Sequence, residues 1–312
     1  MLSLIQKKNY MLKDGKPLIS IITLNYNQEK ITCEFLESTK RLEYKNYEIL
    51  VCDMASNVNP SPLIESGNYP NTKVFLSPEN LGFAAGNNWG MRIAKGDFFF
   101  IVNNDTEVTK DLLDKLLQPF FDSPEIGVTC PKIRYFSNHD IIQYAGFNKM
   151  NLYTGRVAGI GDKEKDMGQY DVSGPTYAAH GCAMMVKREV AEKAGMFPER
   201  FFLYYEEWDW SARILKAGYK IWYAADTLIY HKESMSVGKE NPMKVYYHTR
   251  NRILYMRRNS NFAQLLVFTV FFIFFTVPKA LITYLARRQF RQLKFFLKGI
   301  AWNLYSSSYS PE

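Results

Sequence analysis

Cysteines are few in this chain and lack the spacing that metal or disulfide motifs require. The four of them are scattered over 312 residues and form no CxxC pair: Cys33, Cys52, Cys130 and Cys182. A zinc site or a disulfide framework is therefore not expected, and the pattern is typical of a reducing compartment. The first eight residues, MLSLIQKK, contain no apolar run long enough for a secretory signal. We expect a cytoplasmic protein.

Acidic residues are almost absent from the C-terminal quarter. Residues 241–312 contain eleven lysines and arginines but a single acid, Glu312, which gives this segment a net charge of +10. Because the whole chain carries +8, residues 1–240 carry −2. The sequence thus predicts an almost neutral body with a basic tail. The hydrophobic content of 47% is enough for a packed core and argues against disorder.

The first ~130 residues alternate apolar strands with helices. The strands are predicted at 18–24, 47–52, 72–76 and 97–102, and the helices at 28–42, 84–94 and 109–121. Strands that are almost continuously apolar predict a parallel sheet covered on both faces, so we expect a Rossmann-like nucleotide-binding half. After Pro131 the pattern is looser. Helices are predicted there at 189–195 and 205–217, and strands at 220–224 and 227–230.

Four polar clusters adjoin the predicted strands. They are residues 25–27, 53–56, 80–88 and 103–105. Because ligands bind at the carboxyl ends of the strands in such sheets, these clusters are expected to share one rim. Asp53 is a candidate acceptor for a pyrimidine ring N–H or a ribose hydroxyl, although an Asx turn or a helix cap explains it equally well. The stretch 80–88 is neither a Walker loop nor GxGxxG. It predicts either backbone approach to a diphosphate at a helix N-terminus or an ordinary loop and cap.

Asp105 follows the most apolar of the predicted strands. A carboxylate at the end of a buried strand is costly unless a cation or a donor accompanies it. With Asn103, it is a candidate ligand for Mg²⁺ or Mn²⁺ bound to phosphate oxygens. The alternative is a capped turn before helix 109–121. His231, which follows a late strand, either completes this metal site or is structural.

The segment 202–213 packs three carboxylates among aromatic residues. Apolar surroundings raise a carboxylate's pKa and strengthen it as a base. Asp209 and Arg213 are spaced i,i+4 and are expected to pair on the helix surface. Glu206 or Glu207 is then left as a candidate general base, unless both simply occupy a solvated first turn favoured by the helix dipole.

Taken in order, these clusters resemble the family 2 glycosyltransferases of bacterial polysaccharide synthesis, and most of all their rhamnosyltransferase-like members. The resemblance covers about residues 17–255. Its motifs are Asn25-Tyr26-Asn27, Asp53, Asn80-Leu81-Gly82-Phe83 with Gly86-Asn87-Asn88, Asn103-Asn104-Asp105-Thr106, Gly181-Cys182-Ala183-Met184, the segment 202–209 with Arg213, and His231. Each motif alone is weak, whereas seven in order are a strong signal.

The resemblance implies a GT-A fold, with a Rossmann-like mixed sheet covered by helices on both faces, and an inverting transfer from a UDP- or dTDP-sugar. It implies that Asp53 contacts the base and that Asp105 binds Mg²⁺ or Mn²⁺ with the donor diphosphate. It also implies that His231 is a ligand of the metal or of the diphosphate, and that Glu207 is the catalytic base. The other implied donor-binding residues are Asn25, Asn27, Ser56, Asn80, Gly82, Phe83, Gly86, Asn87, Asn103 and Asn104, and those on the acceptor side are Gly181, Trp208 and Asp209.

Two departures from the family pattern matter. The usual Asp-x-Asp begins here with Asn103, which weakens metal coordination. The usual Glu-Asp pair is Glu206-Glu207 here, so the second carboxylate reaches one methylene further. The choice between the two glutamates therefore stays open at this point.

The tail has the composition of a membrane-associating region. The 16 residues 262–277 carry no charge, and at ~1.5 Å per residue they reach ~24 Å, short of a ~30 Å hydrocarbon core. Extension to Ala286 spans the core only with Lys279 inside. Residues 287–305 predict a basic amphipathic helix suited to an anionic lipid surface, with an apolar stripe of Phe290, Leu293, Leu297, Ile300 and Leu304. The alternative is a buried core helix with a solvated charged face.

We therefore expect an N-terminal extension (1–16), a catalytic domain (17–240) and a helical membrane-associating region (241–312). The expected location is the inner face of the cell membrane, with a single crossing left open, and the expected acceptor is a glycan or polyprenyl-linked sugar. Nucleic acid is not expected as a partner, since the aromatic residues of the tail form apolar runs. Two other functions were weighed. A sugar nucleotidyltransferase needs a Gly-rich basic loop where residues 25–28 lie, and an inactive binding module need not keep Glu206 and Glu207.

Overall fold

The structure is a computed structural model that describes residues 15–232 and 241–307. Nearly all of the predicted N-terminal extension, and the residues on which the signal-sequence argument rests, lie outside these ranges. The same holds for Glu312, the single acid of the tail.

The N-terminal half forms the parallel sheet that the sequence predicts. The elements are β1 (Ile19–Asn25), α1 (Glu29–Thr39), β2 (Tyr47–Asp53), α2 (Ser61–Ser66), β3 (Thr72–Leu76), α3 (Gly82–Ile93) and β4 (Phe98–Val102). The strands lie in the order β3-β2-β1-β4, and all three pairings are parallel. Every residue of β4 is buried, as expected for a strand covered on both faces. The carboxyl ends of these strands therefore form one rim.

The second half extends the sheet and makes it mixed. It contains β5 (Thr106–Val108), α4 (Leu112–Asp122), β6 (Ile126–Tyr135), β7 (Asn138–Tyr144), β8 (Gly174–Thr176), β9 (Ala183–Lys187), α5 (Arg188–Ala194), α6 (Glu206–Lys216) and β10 (Lys220–His231). The order continues β4-β9-β6-β10-β5, and β9 runs antiparallel to both of its neighbours. The two late strands predicted separately are one strand, β10, with an irregularity between Ala224 and Leu228.

The residues described after position 240 form four α-helices: α7 (Pro242–Asn259), α8 (Phe262–Phe271), α9 (Val277–Ala286) and α10 (Phe290–Tyr305). A second apolar core joins them to the body, because Phe201 and Trp208 pack in one cluster with Leu254, Phe268 and Phe296. The tail is thus packed against the domain from which the sequence analysis divided it at residue 240.

Helices α8 and α9 are continuous through a π-helical segment, Phe272–Thr276, that ends two residues before Pro278. A wider turn accommodates the hydrogen bond that proline cannot donate. Within the described residues, Phe262–Ala286 is one helix long and apolar enough to cross a membrane by length and composition. Phe268 and Phe272 face the core, whereas Phe274 and Phe275 are exposed.

Helix α10 has two different apolar faces. Phe296 and Gly299 are buried against α7, with a Cβ on Gly299 placed only 2.9 Å from the Tyr246 carbonyl oxygen. The stripe predicted from the sequence lies beside this face: Phe290 and Leu304 are largely exposed, whereas Ile300 is partly buried against the second apolar core. The expected amphipathic helix is present, and only part of its predicted apolar stripe packs on the protein.

Candidate functional site

Asn25 lies at the end of β1 and orients Asp53 rather than facing the cleft. Its side-chain amide donates to Asp53 Oδ1 (2.6 Å) and Ser56 Oγ (3.1 Å), and its Oδ1 accepts from the Thr32 hydroxyl (2.8 Å). The residue is completely buried. The donor contact predicted for Asn25 is therefore replaced by a supporting role, because its polar atoms are engaged inside the protein.

Asp53 ends β2 and anchors a small network at the rim. The Ser56 hydroxyl donates to Asp53 Oδ1 (2.5 Å), and the Ser56 N–H donates to Oδ2 (3.0 Å). The N–H of Asn27, a residue with φ +53°, donates in turn to Ser56 Oγ (2.7 Å). Asp53 thus closes its own turn. Since a carboxylate offers about four acceptor positions, Oδ2 retains capacity for another donor, and its contact with a ring N–H stays a prediction.

The start of α3 does not offer its backbone to a diphosphate, contrary to one expectation. Gly82 N–H donates to Asn80 Oδ1 (2.9 Å), while Phe83 N–H (2.7 Å) and Ala84 N–H (3.3 Å) donate to the carbonyl oxygen of Phe202. The free donors of a helix N-terminus are what attract an anion. Here protein oxygens already occupy them, so the alternative of a loop and cap is the one observed.

Gly86 and Asn87 lie inside α3 and have packing roles. A Cβ on Gly86 would lie 2.8 Å from Met54 Sδ and 3.1 Å from Leu24 Cδ1, so only glycine lets the helix approach β1 this closely. Asn87 is buried, and its side-chain amide donates to the Phe83 carbonyl (2.9 Å). The donor contacts predicted for both residues are thus not needed to explain their presence.

The turn after β4 directs its three polar residues differently. Asn104 is buried, and its amide donates to Thr32 Oγ1 (2.9 Å) and Gln28 Oε1 (3.3 Å), so it fastens the turn to α1 instead of facing a donor. Asn103 is partly exposed, and its backbone N–H donates to the Cys182 carbonyl (2.8 Å). Only Asp105 and Asn103 are left as candidates toward a ligand.

Asp105 and His231 are brought together, as the sequence analysis expected. Antiparallel pairing of β5 with β10 sets His231 opposite Thr106, and Asp105 Oδ1 lies 3.2 Å from His231 Nε2. The other ring nitrogen, Nδ1, lies 2.7 Å from Gln143 Oε1, which orients the imidazole. Burial opposes protonation of His231, but Cys182 and Asp105 raise its pKa well above the ordinary value of 6.5.

This pair fits a divalent cation that is completed by substrate. Asp105 Oδ1 is buried and accepts no well-formed hydrogen bond from the described residues. Two ligands on adjacent corners of an octahedron of ~2.1 Å bonds are ~3 Å apart, close to the observed separation of oxygen and nitrogen. No third His, Cys, Asp or Glu joins them in the part of the chain that the structure describes. Magnesium and manganese are commonly held this way, with phosphates and water as the remaining ligands.

The two glutamates at the start of α6 differ in environment. Glu206 is 3% exposed, its Oε2 accepts no hydrogen bond from the described residues, and burial next to Glu207 raises its pKa well above the ordinary value. Glu207 is partly exposed, and desolvation raises its pKa to about 7. A base works best with a pKa near the working pH. Glu207 is therefore the better candidate, and the sequence had left this choice open.

Gly181 and Cys182 connect Glu207 to the Asp105 turn. The Glu207 carboxyl carbon is 3.8 Å from the point where a Cβ on Gly181 would lie. The next residue, Cys182, accepts the Asn103 N–H through its carbonyl and contacts the His231 ring through its thiol. The candidate base and the candidate metal ligands thus lie at one rim.

Trp208 and Asp209 point into the protein, although an acceptor-side position was predicted for them. Trp208 is buried and packs on Phe147 with ring centres 4.7 Å apart. Asp209 pairs with Arg213 (3.1 Å) as its spacing predicts, but the pair is buried and not on the surface, and Arg258 of α7 also binds it (2.7 Å). Burial raises the pKa of Asp209, but these bonds outweigh it and hold the pKa below 3.8.

Sequence reasoning missed Arg250, Asn251 and Gln143. The first two lie on α7 and bind backbone carbonyls about 50 residues earlier in the chain. Gln143 of β7 orients His231 from 88 residues away. Since each acts on a distant partner, no spacing in the sequence marks them.

The strand order of the sheet and the polar rim at its strand ends agree with the GT-A fold expected from the sequence. A profile of the family described as "Glycosyl transferase family 2" matches residues 20–195. The chain therefore belongs to glycosyltransferase family 2, which confirms the resemblance found in the sequence.

Two relatives illustrate the range of this similarity. The protein y4gI of Sinorhizobium fredii is 26% identical over 262 residues, but the chain spans only 28% of its length. An N-acetylglucosaminyl-diphospho-decaprenol L-rhamnosyltransferase of Mycobacterium tuberculosis is 21% identical over 272 residues, which cover 77% of this chain and 84% of the relative.

Solved structures share the fold. A mannosyltransferase from Pyrobaculum calidifontis, in complex with GDP-Man and Mn²⁺, has a TM-score of 0.60 at 16% identity and covers 97% of this chain and 92% of its own. GalNAc-T7 with UDP, GalNAc and Mn²⁺ has a TM-score of 0.61 at 16% identity, and the match covers 80% of this chain and 54% of that one. The predicted GT-A fold is confirmed.

Proposed function

We propose that the protein is an inverting glycosyltransferase of cell-surface polysaccharide synthesis. It moves a hexosyl or rhamnosyl group from a UDP- or dTDP-sugar to a hydroxyl of a lipid-linked glycan acceptor. The observation that supports this most is the shared rim of Glu207 and the Asp105–His231 pair. The Mycobacterium relative, whose name specifies a diphospho-decaprenol acceptor and rhamnose, and the Mn²⁺ complexes of the neighbours point the same way.

Glu207 is the general base of this reaction. Its carboxylate takes the proton of the acceptor hydroxyl while that oxygen attacks the anomeric carbon on the face opposite the diphosphate, so one displacement inverts the configuration. Asp53 accepts a hydrogen bond from the base of the donor nucleotide. Asp105 and His231 would hold Mg²⁺ or Mn²⁺, which supplies positive charge to offset that of the departing diphosphate.

Donor binding tests the metal part of the proposal. Purified protein is screened by thermal shift against a panel of nucleotide sugars with Mn²⁺ and with EDTA. We expect one class of donor to raise the melting temperature only with Mn²⁺, since a ligand at about 100 times its dissociation constant adds about 2.7 kcal/mol of stability. Asp105→Asn removes the shift, and the exposed control Asp122→Asn keeps it. An equal shift in EDTA contradicts the metal site.

The acceptor's lipid explains the tail, and we infer peripheral association with the inner face of the cell membrane. Exposed apolar side chains cover the outer face of the helix Phe262–Ala286, among them Phe274 (68%) and Phe275 (64%). Basic residues just before α10 and along it follow them in the chain, and the described tail has no acid to offset their charge: Arg287, Arg288, Arg291, Lys294 and Lys298. Apolar burial and charge attraction act together on an anionic bilayer.

Vesicle flotation tests this association. Wild-type protein is expected to float with phosphatidylglycerol vesicles and much less with phosphatidylcholine vesicles. The double substitution Phe274→Ser, Phe275→Ser lowers binding, whereas Val172→Ser, an 83% exposed apolar residue whose chain neighbours bond to β6 and β10, leaves it unchanged. Binding that is indifferent to lipid charge contradicts the proposal. If the protein stays in native membranes after carbonate extraction, it crosses the membrane and the proposed peripheral association is wrong.

A further inference from the structure

The loop before α6 has an unusual backbone. Phe202, Tyr204 and Tyr205 have φ values of +63°, +69° and +74°, in the left-handed region that bulky residues seldom adopt. Such a conformation persists only where the surroundings determine it. Because α6 begins at Glu206, this loop sets where Glu207 stands.

Two buried residues of α7 hold this loop by its carbonyl oxygens. The Asn251 amide donates to the carbonyls of Phe201 (2.9 Å), Leu203 (2.8 Å) and Tyr204 (2.7 Å). The Arg250 guanidinium donates to the carbonyls of Arg200 (2.8 Å) and Phe201 (2.5 Å). Asn251 is completely buried and Arg250 nearly so.

Asn251 is itself fixed in orientation. Its Oδ1 accepts from Arg250 Nε (2.7 Å), so both amide hydrogens point toward the loop. Aromatic stacking also holds the loop against α7. The Phe202 ring stacks on Tyr247 (5.4 Å between centres), and the Tyr204 ring stacks on His248 (4.3 Å). The residues of α7 thus contact each loop residue from Arg200 to Tyr204.

We propose that Arg250 and Asn251 are positioning residues of the transfer reaction. By binding the carbonyl oxygens of the loop, they fix the position of the Glu207 carboxylate relative to the rim. This inference rests on the proposed role of Glu207 as the base. Neither residue touches the Asp53 network or the Asp105–His231 pair, which lie on the strand ends. Substitution of either residue should therefore slow the chemical step without weakening the binding of the donor.

The first test is Asn251→Asp, which keeps the shape of the side chain but turns an oxygen toward three carbonyl oxygens. A misplacement of about 1 Å costs about 100-fold in rate, so we expect kcat to fall about 100-fold and the KM for the donor to stay within about twofold. Arg250→Lys keeps the charge but loses the planar guanidinium that donates to two carbonyls at once, so we expect a smaller fall in kcat than for Asn251→Asp.

Thr129→Val is the matched control for stability. It removes one buried hydrogen bond, from Thr129 Oγ1 to the Leu116 carbonyl (2.8 Å), on the far side of the sheet from the loop. We expect it to lower the melting temperature and leave kcat unchanged. If Asn251→Asp and Arg250→Lys behave like this control, the two residues are only structural and the proposal fails. Because Arg250→Lys is the milder change, the test survives if Asn251→Asp does not fold.

A double variant shows whether the effect acts through the base. When Asn251→Asp is combined with Glu207→Gln, we expect no loss beyond that of Glu207→Gln alone, since the positioned group is already absent. Independent losses that multiply overturn the inference while leaving Glu207 as the base. Full activity of Glu207→Gln alone refutes the proposed base itself, and so the two failures are distinguishable.

Discussion

Replacement by glutamine should abolish most of the activity at Glu207 and leave it almost unchanged at the adjacent Glu206. With a pKa of about 7, Glu207 changes from largely protonated to largely ionised across the neutral range. Transfer should therefore become several-fold faster between pH 6 and pH 8 as the base ionises. The pKa of Glu206 is raised well above its ordinary value by burial and by the adjacent Glu207.

Glutamine has the shape of a protonated glutamate but cannot take a proton. Glu207→Gln should therefore lower kcat by about 10²–10⁴, the usual contribution of a general base. Glu206→Gln changes a buried carboxyl that is not the proposed base into an amide of the same shape, and we expect kcat within about threefold of wild type, with the rise near pH 7 retained.

The assay is the initial rate of transfer at saturating donor and acceptor between pH 5.5 and 8.5. Donor affinity is measured on each variant to show that the site has folded. Loss of activity in Glu206→Gln with Glu207→Gln active would refute the assignment. A wild-type profile that is flat between pH 6 and 8 would refute the pKa argument even if the mutants behaved as expected.

Three further predictions concern stability, each measured by urea unfolding. Because the pKa of Glu206 is raised in the folded state, the folded protein holds more protons than the unfolded one above pH ~4.5, so stability falls as pH rises. Glu206→Gln should flatten that fall between pH 5 and 8, and an unchanged slope contradicts it. Asp209→Asn should cost about 3 kcal/mol, since two arginines lose a buried counter-charge; a cost below about 1 kcal/mol speaks against this. Gly82→Ala should cost more than about 1 kcal/mol, because φ is +73° and the new Cβ lies 2.5 Å from the Phe202 ring; an unchanged midpoint contradicts the steric argument.

The sequence was most informative where local pattern determines structure. Strands such as β4 are apolar throughout, and each ends in a polar turn, so the parallel half and the shared rim could be predicted before any coordinates. The expected proximity of Asp105 and His231 is present, but it comes from the antiparallel pairing of β5 with β10, which places His231 at the end of β10 opposite Thr106.

The features that could not be predicted from the sequence depend on contacts between residues that are distant in the chain. Nothing in the chain near Gly82 shows that the Phe202 carbonyl, 120 residues later, fills the helix N-terminus. The spacing of Asp209 and Arg213 predicts their pairing. It does not predict the third partner, Arg258, which binds Asp209 from α7. The antiparallel placement of β9 is likewise a matter of partners that are distant in sequence.

The most direct test of the account is the position of a bound Mn²⁺ ion. Crystals are grown with Mn²⁺ and the nucleoside diphosphate of the donor selected by thermal shift, and the ion is located by anomalous scattering. The account predicts a peak at about 2.1 Å from both Asp105 Oδ1 and His231 Nε2, with diphosphate oxygens as further ligands and Glu207 facing the same space. A peak remote from both side chains, or a diphosphate bound on another face from Glu207, would contradict it.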